Sequence, residues 1–122
     1  MKKTSYQFAV EINNEALDAM ERLSVGVRCF LPDNGNIILE AKEKLANMED
    51  WERKHKQSCM NYIVDIVSPG YENIYSFLAT EFDPEQLKNL GLINEEECKE
   101  SLRFLRKMRT LSNRVCRFDA AL

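Results

Sequence analysis

Residues 94–118 read NEEECKESLRFLRKMRTLSNRVCRF, with acids in the first turns and bases toward the end. Acids stabilise the N-terminal end of a helix and bases its C-terminal end, because these charges offset the helix dipole. At about 100° per residue, the large apolar side chains gather on one face, so the stretch predicts a long amphipathic helix. The apolar face holds Phe104, Met108, Leu111, Val115 and Phe118, and the opposite face holds Arg103, Arg106, Lys107, Arg114 and Arg117.

The same helix carries the charge asymmetry of the molecule. The chain has 17 bases and 20 acids, a net charge of −3, but residues 101–118 hold six bases and no acid. We call these six bases the basic ridge. The rest of the chain is acidic and would repel a phosphate backbone, so DNA is not expected as a partner. The ridge suits a small anionic ligand or an acidic partner surface, or it pairs with the acidic body as a solvated helix face.

The composition is that of one soluble globular domain, residues 1–122, with 44% hydrophobic and 30% charged residues. No apolar run approaches the ~20 residues that cross a membrane, and the N-terminus lacks the apolar segment of a signal peptide. We therefore expect a cytosolic protein with reduced cysteines. Because Cys29, Cys59, Cys98 and Cys116 are widely spaced and one histidine is present, no metal site is expected.

The first 40 residues predict mainly strands with one short helix. Residues 6–12 alternate apolar with polar or small side chains, the period of a half-buried strand, and Asn13 or Asn14 can cap a short helix after it. Residues 25–31 and 36–39 flank a Pro-Asp-Asn-Gly turn and predict two further strands paired as a hairpin. Together these segments predict a small antiparallel sheet.

Residues 40–67 contain no proline or glycine, and their apolar side chains recur at spacings of three, four or seven. This pattern predicts one long helix with an apolar stripe, about 27 residues or roughly 40 Å long at 1.5 Å per residue. Such a helix exceeds the width of a domain of this size, so part of the stripe is expected to contact a second subunit. The predicted fold class is α+β: a small N-terminal antiparallel β-sheet, then a long helix and a C-terminal helical segment across residues 41–122, assembled as an oligomer.

Two helix starts in the C-terminal part have detailed local signals. Asp83 is the predicted N-cap of a short helix whose first position is Pro84. Asn94 and Glu97 have the spacing of a capping box at the start of the last helix.

No recognised catalytic motif is present. With four glycines the chain has no Gly-rich phosphate loop, and it has neither a Gly-x-Ser-x-Gly elbow nor a His-Glu-x-x-His motif. We therefore expect a binding protein rather than an enzyme, with no cofactor.

Three residues are candidate ligand contacts. Arg28 projects from the less apolar face of its predicted strand, and Arg109 lies at the border of the last helix's apolar face, where it can reach into a cleft. Arginine forks suit phosphate oxygens, and Phe82, directly before a predicted helix start, can stack on a nucleotide base. The alternatives are structural: Arg28 pairs with a neighbouring acid, and Phe82 packs on Leu87 as a hydrophobic staple.

The segments VGVRCF around Arg28, EFDPEQ around Phe82 and RKMRTL around Arg109 resemble the phage anti-Thoeris proteins of the first type. The resemblance implies a non-catalytic sponge that sequesters glyco-cyclic ADP-ribose, the signal made by TIR-domain defence proteins. It implies that the aromatic ring stacks on adenine while the arginines engage the diphosphate and ribose. It also implies a dimer or a trimer of dimers with pockets between subunits, in the cytoplasm of the infected bacterial host.

A different class of function fits the same charge pattern. The protein could be a protein–protein interaction module or inhibitor that docks through its cationic C-terminal helix. A DNA-binding regulator is a third class, which the acidic body disfavours.

Overall fold

The computed structural model describes residues 3–28, 31, 36–55, 59, 61–62, 67–76 and 83–121. The helices bounded within these parts are α1 (Ser5–Glu21), α2 (Val25–Arg28), α3 (Asn36–Ala46), α4 (Asp50–Lys54), α5 (Ser68–Ser76), α6 (Pro84–Asn89) and α7 (Glu95–Ala120). None of the described residues lies in a strand. The fold is therefore all-α, and the prediction of an α+β fold with an N-terminal antiparallel sheet is wrong.

The first predicted strand is the N-terminal part of α1. A capping box starts this helix: Thr4 Oγ1 accepts from the Gln7 amide at 3.1 Å, and Gln7 Oε1 accepts from the Thr4 amide at 3.0 Å. Phe8 and Ile12 are four positions apart and both buried, so the alternation across residues 6–12 also satisfies a helical period. The predicted cap at Asn13 or Asn14 is wrong as well, because α1 begins at Ser5 and both asparagines lie in its interior.

Two parts of the predicted hairpin, residues 25–28 and 36–39, are helical instead. Val25 to Arg28 form α2, and Asn36 starts α3; residues 32–35, the predicted turn, lie outside the described residues. The preceding Ser24 is anchored on the first turns of α7: its hydroxyl donates to Glu97 Oε2 at 3.0 Å and its amide to Glu100 Oε2 at 3.3 Å. This long-range anchor outweighs the β propensity of the valines, which depends strongly on context.

The predicted long helix over residues 40–67 is interrupted. α3 ends at Ala46, α4 begins only at Asp50, and His55 ends α4 in an extended conformation. The Glu49 amide donates to Glu52 Oε1 at 3.3 Å, so a new helix start forms inside the predicted one. A helix of 27 residues therefore does not exist, and the argument for an oligomer from its length is removed; oligomerisation itself stays a prediction.

The helix starts predicted in the C-terminal part are confirmed. The Asp83 carboxylate accepts from the Glu85 amide at 3.1 Å, with Pro84 at the first turn of α6. The Asn94–Glu97 capping box is complete, with a bond of 2.7 Å from the Glu97 amide to Asn94 Oδ1 and one of 3.0 Å from the Asn94 amide to Glu97 Oε1. These short-range signals define where α6 and α7 begin.

The core forms where α7 packs against α1, α5 and α6, while α3 covers another side of α1. The predicted apolar face of α7 is confirmed, with Phe104, Met108, Leu111 and Val115 buried. Phe118 stacks on Phe8 of α1, with ring centroids 4.0 Å apart and an interplanar angle of 4°. These contacts set α1 beside α7 and so define the space between them.

Candidate functional site

A cleft of about 540 Å³ lies between α1 and α7. Its volume falls within the roughly 300–1,000 Å³ range of small-molecule pockets. Three cations line it (Arg22, Arg103 and Lys107), with three acids (Glu15, Asp18 and Glu100) and three apolar residues (Ala19, Leu23 and Phe104). We call this the α1–α7 cleft.

On both helices, a row of charged side chains lies beside the buried face, and these two rows line the cleft. On α1, Glu15, Asp18 and Arg22 follow at spacings of three and four, so they share one side of the helix. On α7, Arg103 and Lys107 are one turn apart in the same way. The two helices run antiparallel, since Phe8 contacts Phe118 and Ser24 contacts Glu97. Their charged sides therefore face each other, with acids of α1 opposite bases of α7.

Two of the cations in the α1–α7 cleft have weakly held partners. Arg22 Nη2 lies 3.0 Å from Asp18 Oδ2, with the two side chains 79% and 64% exposed. Arg103 Nη2 lies 3.4 Å from Glu96 Oε1, again in an exposed pair. Exposed ion pairs contribute only about 0–1 kcal/mol, so both guanidinium groups can exchange their partner for a ligand at small cost.

The third cation, Lys107, belongs to a tighter cluster centred on Glu15. Lys107 Nζ donates to Glu15 Oε1 at 2.9 Å, and Arg114 Nη1 donates to Glu15 Oε2 at 2.6 Å. Partial burial raises the pKa of the Glu15 carboxyl, but the hydrogen bonds and charges of Lys107 and Arg114 outweigh it, so its net pKa lies below the ordinary value. For these two bases, the expectation that the basic ridge pairs with the acidic body is confirmed.

The apolar part of the lining belongs largely to the core. Leu23 and Phe104 are both buried, and the Phe104 ring is part of the core rather than free to stack on a ligand. The nine lining residues include no cysteine, serine or histidine. The arrangement can hold anionic groups on its cations and hydroxyl groups on its acids.

The two sequence-predicted site residues that the structure describes, Arg28 and Arg109, lie outside the α1–α7 cleft. Arg28 is the last residue of α2, which is anchored through Ser24 near Glu97 and Glu100. Arg109 is exposed on α7, nine positions beyond Glu100 and thus about 14 Å further along the helix at 1.5 Å per residue. Neither arginine lines the α1–α7 cleft, and Phe82 lies outside the described residues.

Arg28 nevertheless has one unusual feature. Its Nε is buried and has no hydrogen-bond partner in the part of the chain that is described. The predicted pairing of Arg28 with a neighbouring acid is therefore not seen at this atom.

Sequence reasoning placed residues 15–22 on a helix but attended only to its apolar side and began that helix at Asn13 or Asn14 instead of at Ser5. The spacing of Glu11, Glu15, Asp18 and Arg22 places four charged residues on one side of a helix. The Thr4–Gln7 capping box was the signal that could have revealed that helix.

No family profile, curated protein or solved structure matches this chain. None of the described helices is both long and apolar enough to cross a membrane. Within the described residues, no three His, Cys, Asp or Glu side chains are grouped so that they could hold a metal ion.

Proposed function

We propose that the protein binds a small phosphate-bearing ligand in the α1–α7 cleft and holds it without converting it. The observation that supports this proposal is the placement of Arg22, Arg103 and Lys107 in one cleft beside the buried Leu23 and Phe104. Guanidinium and ammonium groups bind phosphate oxygens through charge-assisted hydrogen bonds. A sequestering role fits this lining, in which Lys107 and Glu15 are already paired with each other.

Affinity sets a further requirement on this function. Charge-assisted hydrogen bonds contribute about 1.5–3 kcal/mol each, whereas nanomolar sequestration needs about −12 kcal/mol. One charge-assisted hydrogen bond from each of the three cations therefore does not supply the binding free energy that nanomolar affinity requires. The proposal therefore includes a homo-oligomer, a dimer or a trimer of dimers, in which a second subunit closes the cleft and excludes water.

The specific form of the proposal is sequestration of glyco-cyclic ADP-ribose, which would let a phage evade Thoeris defence in the cytoplasm of its bacterial host. Its support is the sequence resemblance around Arg28, Phe82 and Arg109. The all-α fold counts against it, as does the fact that neither Arg28 nor Arg109 lines the α1–α7 cleft. In this form the pocket must combine Arg28 of one subunit with Arg109 of another.

Calorimetric titration tests both forms. The purified protein is titrated with glyco-cyclic ADP-ribose, beside ADP-ribose, NAD and ribose 5-phosphate, and the ligand is recovered after denaturation. Tight binding with unchanged ligand supports sequestration. Binding of ribose 5-phosphate without preference for the cyclic signal supports the cleft but overturns the anti-Thoeris form, and absence of heat with all four overturns the proposal.

Variants separate the two sites. Arg103→Gln removes a cation of the α1–α7 cleft, and Arg117→Gln removes an exposed cation of the same ridge outside it. We expect at least tenfold weaker binding with Arg103→Gln and less than a twofold change with Arg117→Gln. If Arg109→Ala or Phe82→Ala abolishes binding while Arg103→Gln does not, the ligand lies at the subunit-spanning site instead.

One observation favours a second function, docking on an acidic partner protein. Arg106 and Arg117 are exposed on α7, and no described residue forms an ion pair with either of them. A docking surface would lose its partner with Arg106→Gln plus Arg117→Gln in a pull-down. A ligand-binding cleft would keep its affinity in the same double variant.

A further inference from the structure

We infer that Glu15 is a built-in competitor of the ligand for Lys107 and restricts the cleft to phosphate esters that also carry hydroxyl groups. This inference rests on the proposed binding function of the α1–α7 cleft. Glu15 lines the cleft together with Lys107, and their contact of 2.9 Å occupies the lysine. A phosphate that binds Lys107 must therefore displace this carboxylate or lie beside it.

Glu15 cannot swing away easily, because its other oxygen is held on the far side. Arg114 Nη1 binds Glu15 Oε2 at 2.6 Å, and Arg114 does not line the cleft. The carboxylate is thus fixed at both oxygens by two bases of α7. Its side chain and that of Arg114 are 32% and 28% exposed, so solvent and salt screen this pair less than a fully exposed one.

The other two cations differ from Lys107 in this respect. The partner of Arg103, Glu96, lies outside the cleft, so Arg103 can turn inward and leave its acid behind. The partner of Arg22, Asp18, is itself largely exposed and has no second base bound in the described structure. The third acid of the lining, Glu100, accepts from the Ser24 amide at 3.3 Å. Of the three acids, Glu15 is thus the one that is held by two bases, one of them a cation of the cleft, and we assign to it the control of how much negative charge the cleft tolerates.

The fixed carboxylate also predicts which ligands are favoured. An ionised carboxylate only accepts hydrogen bonds, so it binds a sugar hydroxyl but repels a second phosphate oxygen. A phosphorylated sugar can place its phosphate on Arg22 and Arg103 and a hydroxyl on Glu15. Inorganic pyrophosphate lacks sugar hydroxyls and carries more negative charge than a phosphate monoester, so the wild-type cleft disfavours it.

The test compares ribose 5-phosphate with inorganic pyrophosphate by calorimetry at neutral pH. Glu15→Gln keeps a side-chain oxygen that accepts from a hydroxyl but removes the charge. We expect Glu15→Gln to bind pyrophosphate about fivefold or more tightly than wild type, in line with the modest energy of one partly exposed ion pair. The affinity for ribose 5-phosphate should change less than the affinity for pyrophosphate.

Glu11→Gln is the matched control. Glu11 also contacts Arg114, at 3.5 Å, and it lies on α1 one turn before Glu15 but outside the cleft. We expect its pyrophosphate affinity to stay within twofold of wild type. Should Glu15→Gln fail to fold by circular dichroism, Glu15→Asp keeps the charge but draws it back from Lys107, and it should tighten pyrophosphate binding to a smaller extent.

The outcomes are separable. If wild type binds ribose 5-phosphate but Glu15→Gln, or Glu15→Asp in its place, gains no affinity for pyrophosphate, the role of Glu15 is wrong and the proposed function survives. A gain that Glu11→Gln shares equally also overturns the inference, because general charge would explain it. If neither wild type nor the Glu15 variant binds either probe, the proposed function and the inference fail together.

Discussion

The hydroxyl of Tyr71 donates a hydrogen bond of 3.0 Å to Oδ1 of Asn13, and both residues are buried. The amide nitrogen of Asn13 donates in turn to the carbonyl oxygen of Ile38 at 3.0 Å. This chain of bonds joins α5, α1 and α3 through one polar side chain in the interior. Burial raises the pKa of the Tyr71 hydroxyl well above its ordinary value, so it stays protonated and able to donate at neutral pH.

The first prediction concerns this buried bond. Tyr71→Phe removes the hydroxyl and leaves Asn13 Oδ1 unpaired in the core, which costs about 1–3 kcal/mol for a buried polar group. Urea denaturation followed by circular dichroism measures the loss. A double-mutant cycle with Asn13→Leu provides the control, because Tyr71→Phe should cost much less stability in the Asn13→Leu background, where no amide oxygen is left unpaired. Additive effects of the two changes would contradict the bond.

The N-cap of α1 gives a direct test of the helical N-terminus. Thr4→Ala removes the side chain that accepts from the Gln7 amide, and losing such a cap costs about 0.5–2 kcal/mol. Thr4→Ser keeps the hydroxyl and should stay close to wild type in urea denaturation. Equal stability of the two variants would indicate that residues 5–21 do not start a helix at this cap.

The pH dependence of stability follows from Glu15. Its folded-state pKa lies below the ordinary value, so its ionisation stabilises the fold fully above the unfolded glutamate pKa of about 4.3, and this contribution is lost as the pH falls through the lower folded value. The stability difference between wild type and Glu15→Gln should therefore be largest near neutral pH and shrink in acid.

Urea midpoints of both proteins between pH 7 and pH 3 measure that difference. The ion pairs are partly exposed, so 1 M salt should reduce the difference at pH 7. An advantage of wild type that grows on acidification would contradict the assigned contacts of Glu15.

Two glycines in helices make a matched pair. A Cβ on Gly70 of α5 would lie 2.7 Å from Cγ1 and 3.2 Å from Cγ2 of Ile37, whereas one on Gly26 of α2 would meet only Glu97 Oε2, at 3.4 Å. Because Ile37 is β-branched and stiff, Gly70→Ala should destabilise the protein by about 1–3 kcal/mol. Gly26→Ala should be neutral or slightly stabilising, since alanine favours a helix. Thermal melts of the two variants compare them, and equal melting temperatures would contradict the packing of α5 on α3.

Part of the candidate site was readable from the sequence, and part was not. Helix periodicity, a local property, predicted that Arg103 and Lys107 lie together on the side of α7 opposite its apolar face. Glu15 was not found, since its partner Lys107 lies 92 positions away and no local pattern links them. Arg28 and Arg109 had suitable chemistry, but chemistry alone did not decide where α2 would dock on α7.

What the sequence determined by itself is the part with strong short-range signals. The cap at Asp83, the capping box at Asn94 and the two faces of α7 each depend on residues within a few turns, and the structure contains all of them. Tertiary structure decided the rest. The alternation in residues 6–12 is compatible with both a strand and a helix. In the helical form, Phe8 stacks on Phe118 of α7. Residues 25–28 are helical beside Ser24, which is hydrogen-bonded to Glu97 and Glu100 of α7. Such distant contacts outweigh the weak β propensity of the two valines.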